Sequence, residues 1–175
     1  MTEALPCFLD IEASGLEPGS FPVEIAWSLR DGTINGALVR PHPEFDMDSW
    51  DPRAEELHGL SIDYLEQHGE DAGVIISRLR AGTQGAPMYC DAIAFDPHWL
   101  EILWMVSGAW IARGDYPRLL AAYELFSDVS EAPIQAMERL REAISRDDRS
   151  LRPHRAKDDV RALLTAYLMR KKNPG

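Results

Sequence analysis

Cys7-Phe8-Leu9-Asp10-Ile11-Glu12-Ala13-Ser14-Gly15-Leu16 decides how this chain is read. Residues 7 to 12 are apolar except for two acids, the composition of a buried strand, and Ser14-Gly15 is the turn that ends it. Side chains alternate across a strand, so Asp10 and Glu12, two apart, share one face. Two carboxylates on one face repel unless a proton or a cation sits between them. With hard oxygen ligands the natural cation is Mg²⁺ or Mn²⁺. An Asp-x-Glu arises by chance about once in an acidic chain of this length. This one gains weight from its apolar setting and from the turn just beyond it, where ligands meet open α/β sheets.

Outward from that strand, Val23 to Leu29 and Thr33 to Arg40 read as two more, joined by the tight turn Arg30-Asp31-Gly32. The N-terminus is therefore an antiparallel meander. Helical signals follow. Asp51-Pro52 opens a helix that Gly59 stops, Ser61 caps a short one to His68, and Asp71 to Arg80 forms a third. Pro87 to Cys90 is a short apolar strand, and Asp96, as an N-cap before Pro97, starts a helix to about Val106. Leu119 to Phe126 fits strand or helix, with strand preferred near Tyr123 to Phe126. Pro133 to Ser145 is helical. A last helix from near Pro153 aligns Val160, Leu163, Leu164, Tyr167 and Leu168 on one face. A meander followed by alternating strands and helices predicts an α/β fold, a mixed sheet with helices packed on it.

The chain has 175 residues, 45% of them apolar, which suits a single domain over residues 1–175 with a core of its own. No apolar run approaches the roughly 20 residues of a membrane-spanning helix. The first residues lack the basic and apolar regions of a secretory signal. Cys7 and Cys90, far apart, read as lone buried thiols of a reducing cytoplasm. The net charge of −11 argues against a protein that coats long nucleic acid. It hides an asymmetry, however. Residues 139 to 175 carry 11 basic and 5 acidic side chains, against 7 and 24 in the rest. That places a basic end where it could lie beside a polyanion.

Three further residues bear on the chemistry. Asp96 can cap its helix and also offer a metal oxygen, and Asp91, five residues earlier, competes for that second role. His154 and Asp159 sit near the start of the last helix. A histidine with an ordinary pKa near 6.5 can take a proton from water at neutral pH. Asp159 can add a metal oxygen, while its neighbour Asp158 suits the helix dipole.

Taken in order, these segments resemble the DEDDh group of 3′→5′ exonucleases, which includes ribonuclease T, oligoribonuclease and the proofreading subunit of bacterial DNA polymerase III. Asp10-Ile11-Glu12-Ala13-Ser14-Gly15-Leu16 is similar to the first motif and Ala94-Phe95-Asp96 to the second. His154-x-Ala156-x-x-Asp159 is similar to the third, and Glu56-Leu57-His58-Gly59-Leu60-Ser61 to a segment with a His-Gly pair between the first two. The resemblance spans roughly residues 5 to 170 and selects Asp96 over Asp91 and Asp159 over Asp158. It implies a ribonuclease H-like mixed sheet of about five strands flanked by helices. It also implies two Mg²⁺ or Mn²⁺ ions on Asp10, Glu12, Asp96 and Asp159, with His154 as general base.

By the same resemblance Ser14, Gly15, Leu16 and His58 line the terminal nucleotide, and the products are nucleoside 5′-monophosphates. The implied partners are single-stranded 3′ ends of RNA or DNA, or short oligonucleotides, and several free-standing members of the group are homodimers. Ser14 stands where many members have threonine, and Cys90-Asp91 where many have His-Asn. The same fold can also serve as a non-catalytic nucleic-acid-binding or docking module.

Overall fold

A computed structural model describes residues 4–108, 116–126 and 132–172. Strands β1 (Cys7–Ala13), β2 (Pro22–Ser28) and β3 (Ile34–Leu38) form the expected antiparallel meander. Helices α1 (Pro52–His58), α2 (Ile62–His68) and α3 (Ala72–Thr83) lead into β4 (Met88–Cys90). Helix α4 (Asp96–Val106), strand β5 (Leu119–Ala121), and helices α5 (Pro133–Asp147) and α6 (Ala156–Lys172) complete the order. The five strands lie in the order β3-β2-β1-β4-β5, with β4 parallel to β1 and β5 parallel to β4. β1 is thus central, and the sheet changes from antiparallel to parallel along its length.

Alternation along β1 sorts the core into two layers. Cys7, Leu9, Ile11 and Ala13 face a cluster that takes in Val23, Ile25 and Trp27 of β2, Met88 and Cys90 of β4, and residues of α3 and α4. Phe8, on the other face, joins Ala26, Phe126, and Ala156, Val160 and Leu163 of α6. Asp10 and Glu12 follow Phe8 in register and lie on the α6 side. Both cysteines are free and buried. Among the described residues no helix is long and apolar enough to cross a membrane.

Local signals explain most boundaries. Asp51 accepts from the Arg53 amide and Ser61 from the Tyr64 amide, and Gly59 ends α1 with φ +71°, a left-handed turn that glycine adopts without strain. Asp71 makes no cap bond to α3; its carboxylate takes Arg40 instead, at 3.0 Å.

Three expectations are corrected. The fifth strand is Leu119–Ala121, not the stretch near Tyr123–Phe126, which is a 3-10 turn over Ala122–Phe126. The ladder Met88↔Leu119, Tyr89↔Leu120 and Cys90↔Ala121 uses the residues that reach β4. Ala122 and Phe126, four apart, then bury together as a helical turn allows. Asp96 is the first residue of α4 rather than its cap; Phe95 holds the cap position without a side-chain bond. Helix α6 begins at Ala156, beyond His154, because His154 has φ +60° and breaks the helical path. Residues 109–115 and 127–131, parts of the long connections on either side of β5, lie outside the described residues.

Phe8 is fully buried between the rings of Tyr89 and Tyr167, at 6.4 and 6.2 Å. Truncation to alanine opens a cavity under both β4 and α6. Phe8→Ala is expected to lower unfolding free energy by roughly 3–5 kcal/mol, measured by urea denaturation.

Candidate active site

β1 carries Asp10 and Glu12 to the point where the sheet changes direction. The β1–β2 register slips between Glu12 and Ala13, so the ladder ends irregularly just past the pair. The turn that follows is tied down from two sides. The Ser14 hydroxyl accepts the Phe21 amide at 3.0 Å, and the Ser14 carbonyl accepts the Asp51 amide at 2.7 Å. Gly15 keeps this approach close: a Cβ would sit 3.2 Å from Asp51 Cβ and 3.4 Å from the Ser49 carbonyl, so those neighbours would have to give by a few tenths of an ångström.

Asp91, just past β4, and Asp96, at the start of α4, approach Asp10 from the parallel side. Asp159, in the first turn of α6, approaches from above that face. Two overlapping groups result, Asp10–Glu12–Asp159 and Asp10–Asp91–Asp96, each with ligand atoms within 4.8 Å of one another. The four acids singled out by the resemblance are therefore together. Asp91, which the resemblance set aside, stands among them.

Two residues that sequence reasoning missed organise the cluster. Glu24 on β2, paired in register with Glu12, accepts Arg155 through both carboxylate oxygens at 2.9 and 3.0 Å and the Ala156 amide at 3.1 Å. It thereby caps α6 from across the sheet and sets where Asp159 stands. A charge inside the apolar run of β2 was the available signal. The second is Arg141 of α5, which donates to Asp159 Oδ1 at 2.8 Å and also pairs with Asp91 Oδ2. Nothing in the charged sequence of α5 marks it out.

The electrostatics are those of crowded, poorly hydrated carboxylates. Burial, then repulsion from Asp96 and Asp91, holds Asp10 well above the usual carboxylate range. Burial and then Asp91 do the same to Asp96. Glu12 is pushed up to about 8 by burial and by Asp159 and Glu24. Asp159 is raised by burial against the opposing pull of Arg141.

Asp96 is 0% exposed, and neither of its oxygens has a hydrogen-bond partner. The Cys90 thiol and the Ile11 backbone lie close enough to ease its charge without making a bond of acceptable geometry. A buried carboxylate with no donor is costly. An all-oxygen donor set with orphaned buried oxygens fits a hard divalent cation, which would satisfy those oxygens and cancel the repulsion.

Two cavities meet at this cluster. The larger, about 910 Å³, is lined by Asp10, Glu12, Asp91 and Asp159 together with Arg141, Arg146 and Arg152, so the basic C-terminal part of the chain does flank it. Glu138 and Glu142 line it as well. The smaller, about 460 Å³, is lined by Gly15, Leu16, His58 and Trp99 among others. Ile11, Glu12 and His154 border both.

His154 is exposed, outside α6. Leu16 is 70% exposed over the smaller cavity. Ser14 is fully buried with its hydroxyl engaged in the turn, so it supports Gly15 and Leu16 from beneath. His58 is buried, which pushes its pKa down. Its Nδ1 accepts the Leu60 amide at 3.0 Å, which leaves Nε2 as a buried donor without a partner.

The sheet order and the flanking helices are those of the ribonuclease H-like fold. Exonuclease I from Methylocaldum szegediense has it, with a TM-score of 0.65 at 16% identity over 96% of this chain and 40% of that one. Exonuclease I of E. coli in complex with a dA16 oligonucleotide also gives 0.65 at 16%, covering 97% and 42%. The zinc-bound form of the E. coli exonuclease I–single-stranded DNA complex gives 0.63 at 15%, covering 99% and 42%. The chain thus spans about two-fifths of the length of these proteins. No family model and no curated protein matches the sequence.

The raised Glu12 pKa has a sign that can be measured. Folded, Glu12 keeps its proton up to about pH 8, whereas the unfolded chain releases it near the ordinary glutamate value of 4.5. The stability this proton confers is fully present below the unfolded value and is lost as pH rises through the folded one. With a chelator present, the melting temperature is expected to fall as pH climbs across that window. Glu12→Gln, which keeps the shape without the charge, should make that fall shallower, the remainder coming from Asp10, Asp96 and Asp159.

Proposed function

We propose that this chain is a metal-dependent 3′→5′ exonuclease of the DEDDh type, built as one exonuclease domain over residues 1–175. It removes nucleoside 5′-monophosphates from 3′ ends of single-stranded RNA or DNA. The observation that carries this reading is Asp96, a buried carboxylate with two orphaned oxygens beside Asp10, at the sheet position where the exonuclease fold opens. The motif order in the sequence and the oligonucleotide complexes of exonuclease I support it.

Asp10, Glu12, Asp96 and Asp159 would hold two Mg²⁺ or Mn²⁺ ions. When bound, such ions supply charge neutralisation at the scissile phosphate and make water a stronger acid. The protein's own groups do the rest. Leu16 and Trp99 offer apolar surface to the terminal base in the smaller cavity. His58 Nε2 offers a hydrogen bond there.

His154, at the junction of the two cavities, takes the proton from the attacking water through an imidazole nitrogen. The new P–O bond forms to the terminal 5′-phosphate and the P–O3′ bond of the preceding nucleotide breaks. The departing 3′-oxygen is reprotonated from solvent. Arg146 and Arg152 lie along the larger cavity, where the preceding phosphates of a strand would run.

The test is a ladder assay on 5′-labelled single-stranded RNA and DNA with Mg²⁺ or Mn²⁺. Label should step down one nucleotide at a time from the 3′ end. Asp10→Asn, Asp96→Asn and His154→Asn should each slow this by at least about 10²–10⁴-fold. Near-wild-type turnover by these variants would sink the assignment. A binding module would retain its oligonucleotide and shorten nothing.

A further inference from the structure

Arg141 ties together elements that otherwise meet the acidic cluster separately. It stands on α5, which packs on α6 and on the 3-10 turn. Its Nη1 donates to Asp91 Oδ2, just beyond β4, and its Nη2 to Asp159 Oδ1 of α6 at 2.8 Å. Asp159 belongs with Asp10 and Glu12, and Asp91 with Asp10 and Asp96, so one guanidinium serves both groups of acids. The arginine side chain is 25% exposed and both carboxylates are 16% exposed, which sets this apart from a solvated surface pair of little worth. A planar fork with one nitrogen on each carboxylate fixes the spacing and tilt of the two acids, as a compact ammonium cannot.

The charges of Asp91 and Arg141 also cancel. Asp10, Glu12, Asp96 and Asp159 are the four proposed ligands, and Asp91 is a fifth carboxylate beside them. It adds one negative charge and Arg141 adds one positive charge, so the pair leaves the centre with the charge of the four. Neither member is well placed alone. Without the arginine, Asp91 would face Asp10, Asp96 and Asp159 with its buried Oδ1 unpartnered and no cation on Oδ2. Without Asp91, the guanidinium would keep Asp159 alone, and its charge would stand uncancelled against any dication nearby.

We infer that Asp91 and Arg141 work as one charge-balanced positioning unit. Asp91 anchors Arg141, and Arg141 holds Asp159 where it serves the centre. Asp91 is then an anchor, and its carboxylate is needed only because the arginine is there. This rests on the exonuclease reading for what the centre does, but two of its three readouts need no turnover.

The experiment is a double-mutant cycle on the full chain, with Asp91→Asn, Arg141→Gln and the two combined. Thermal melting in chelator reads the pair itself. Asp91→Asn is expected to raise the midpoint in the Arg141→Gln background, where it removes an unopposed charge, and to give no such gain where Arg141 is present. Calorimetric titration with Mn²⁺ reads the centre, which a strap of purely structural use would not tune. Asp91→Asn alone should weaken Mn²⁺ binding by about tenfold, the lower end of the range over which partners of metal ligands act. The combined variant should recover most of that loss, and in the ladder assay it should outpace Asp91→Asn. If Arg141→Gln folds poorly by circular dichroism, the combined variant still decides, because it never sets Asp91 unopposed against the other acids.

A combined variant that binds Mn²⁺ no better than Asp91→Asn would overturn the inference, since Asp91 would then be a ligand in its own right. Wild-type Mn²⁺ affinity in Asp91→Asn would overturn it as well. The ladder assay separates the two readings. A compensating cycle in a chain that leaves oligonucleotides intact removes the exonuclease and keeps the unit. An active nuclease whose two substitutions act additively does the reverse. A chain that binds no Mn²⁺ at all overturns both.

Discussion

Carboxylate repulsion at the end of a buried strand is the constraint on which this structure turns. Asp10, Glu12, Asp91, Asp96 and Asp159 converge where there is little water to screen them, and Arg141 is the cation that reaches in. Such an arrangement costs stability, because each carboxylate must either keep a proton or share a cation. The rest of the fold supplies the apolar packing that holds the acids together despite that cost. β1 has fully buried Phe8 and Leu9 on opposite faces, so the strand cannot slide without losing a core layer.

The geometry of the centre depends on a second interaction some distance from it. Glu24 fixes the start of α6 by accepting from Arg155 Nε and Nη2 and from the Ala156 amide. Asp159 lies one turn further on, so an error in the helix start would be transmitted directly to a proposed ligand. Asp158 works in the same direction, accepting the Arg152 amide at 3.1 Å and drawing the preceding segment back on the helix. His154 lies within that segment, between two anchored residues. Asp159 and the imidazole are thus positioned by one short stretch of chain, residues 152 to 159.

What could be read in the sequence follows from how local each signal is. The Asp10–Glu12 face follows from strand alternation alone, and the meander from the Ser14-Gly15 turn signal and the tight turn at Arg30-Asp31-Gly32, so both were legible. β5 was misplaced because a strand of three residues is too short to display alternation. Its partner in β4, not its own pattern, selects Leu119 to Ala121. The resemblance chose Asp96 over Asp91, whereas folding brings both to Asp10, since β4 ends just before one and α4 begins on the other. Arg141 was invisible for a different reason. Helix α5 carries Arg139, Arg141 and Arg146, and only its docking against α6 and the 3-10 turn distinguishes one from the others.

His154 has a left-handed backbone, which costs an L-residue on the order of 1 kcal/mol even where the side chain is one that tolerates it. The imidazole is consequently aimed by a bend in the main chain, and no long side chain has to be extended and immobilised to reach the junction of the two cavities. This divides the replacements available at that position into two physical groups. Glycine or asparagine would leave the bend at rest and remove only the imidazole. A β-branched residue would disturb the path into α6 as well, and with it Asp159. A lesion at 154 can therefore act through chemistry alone or through the alignment of a neighbouring carboxylate, depending on the shape of what is put there.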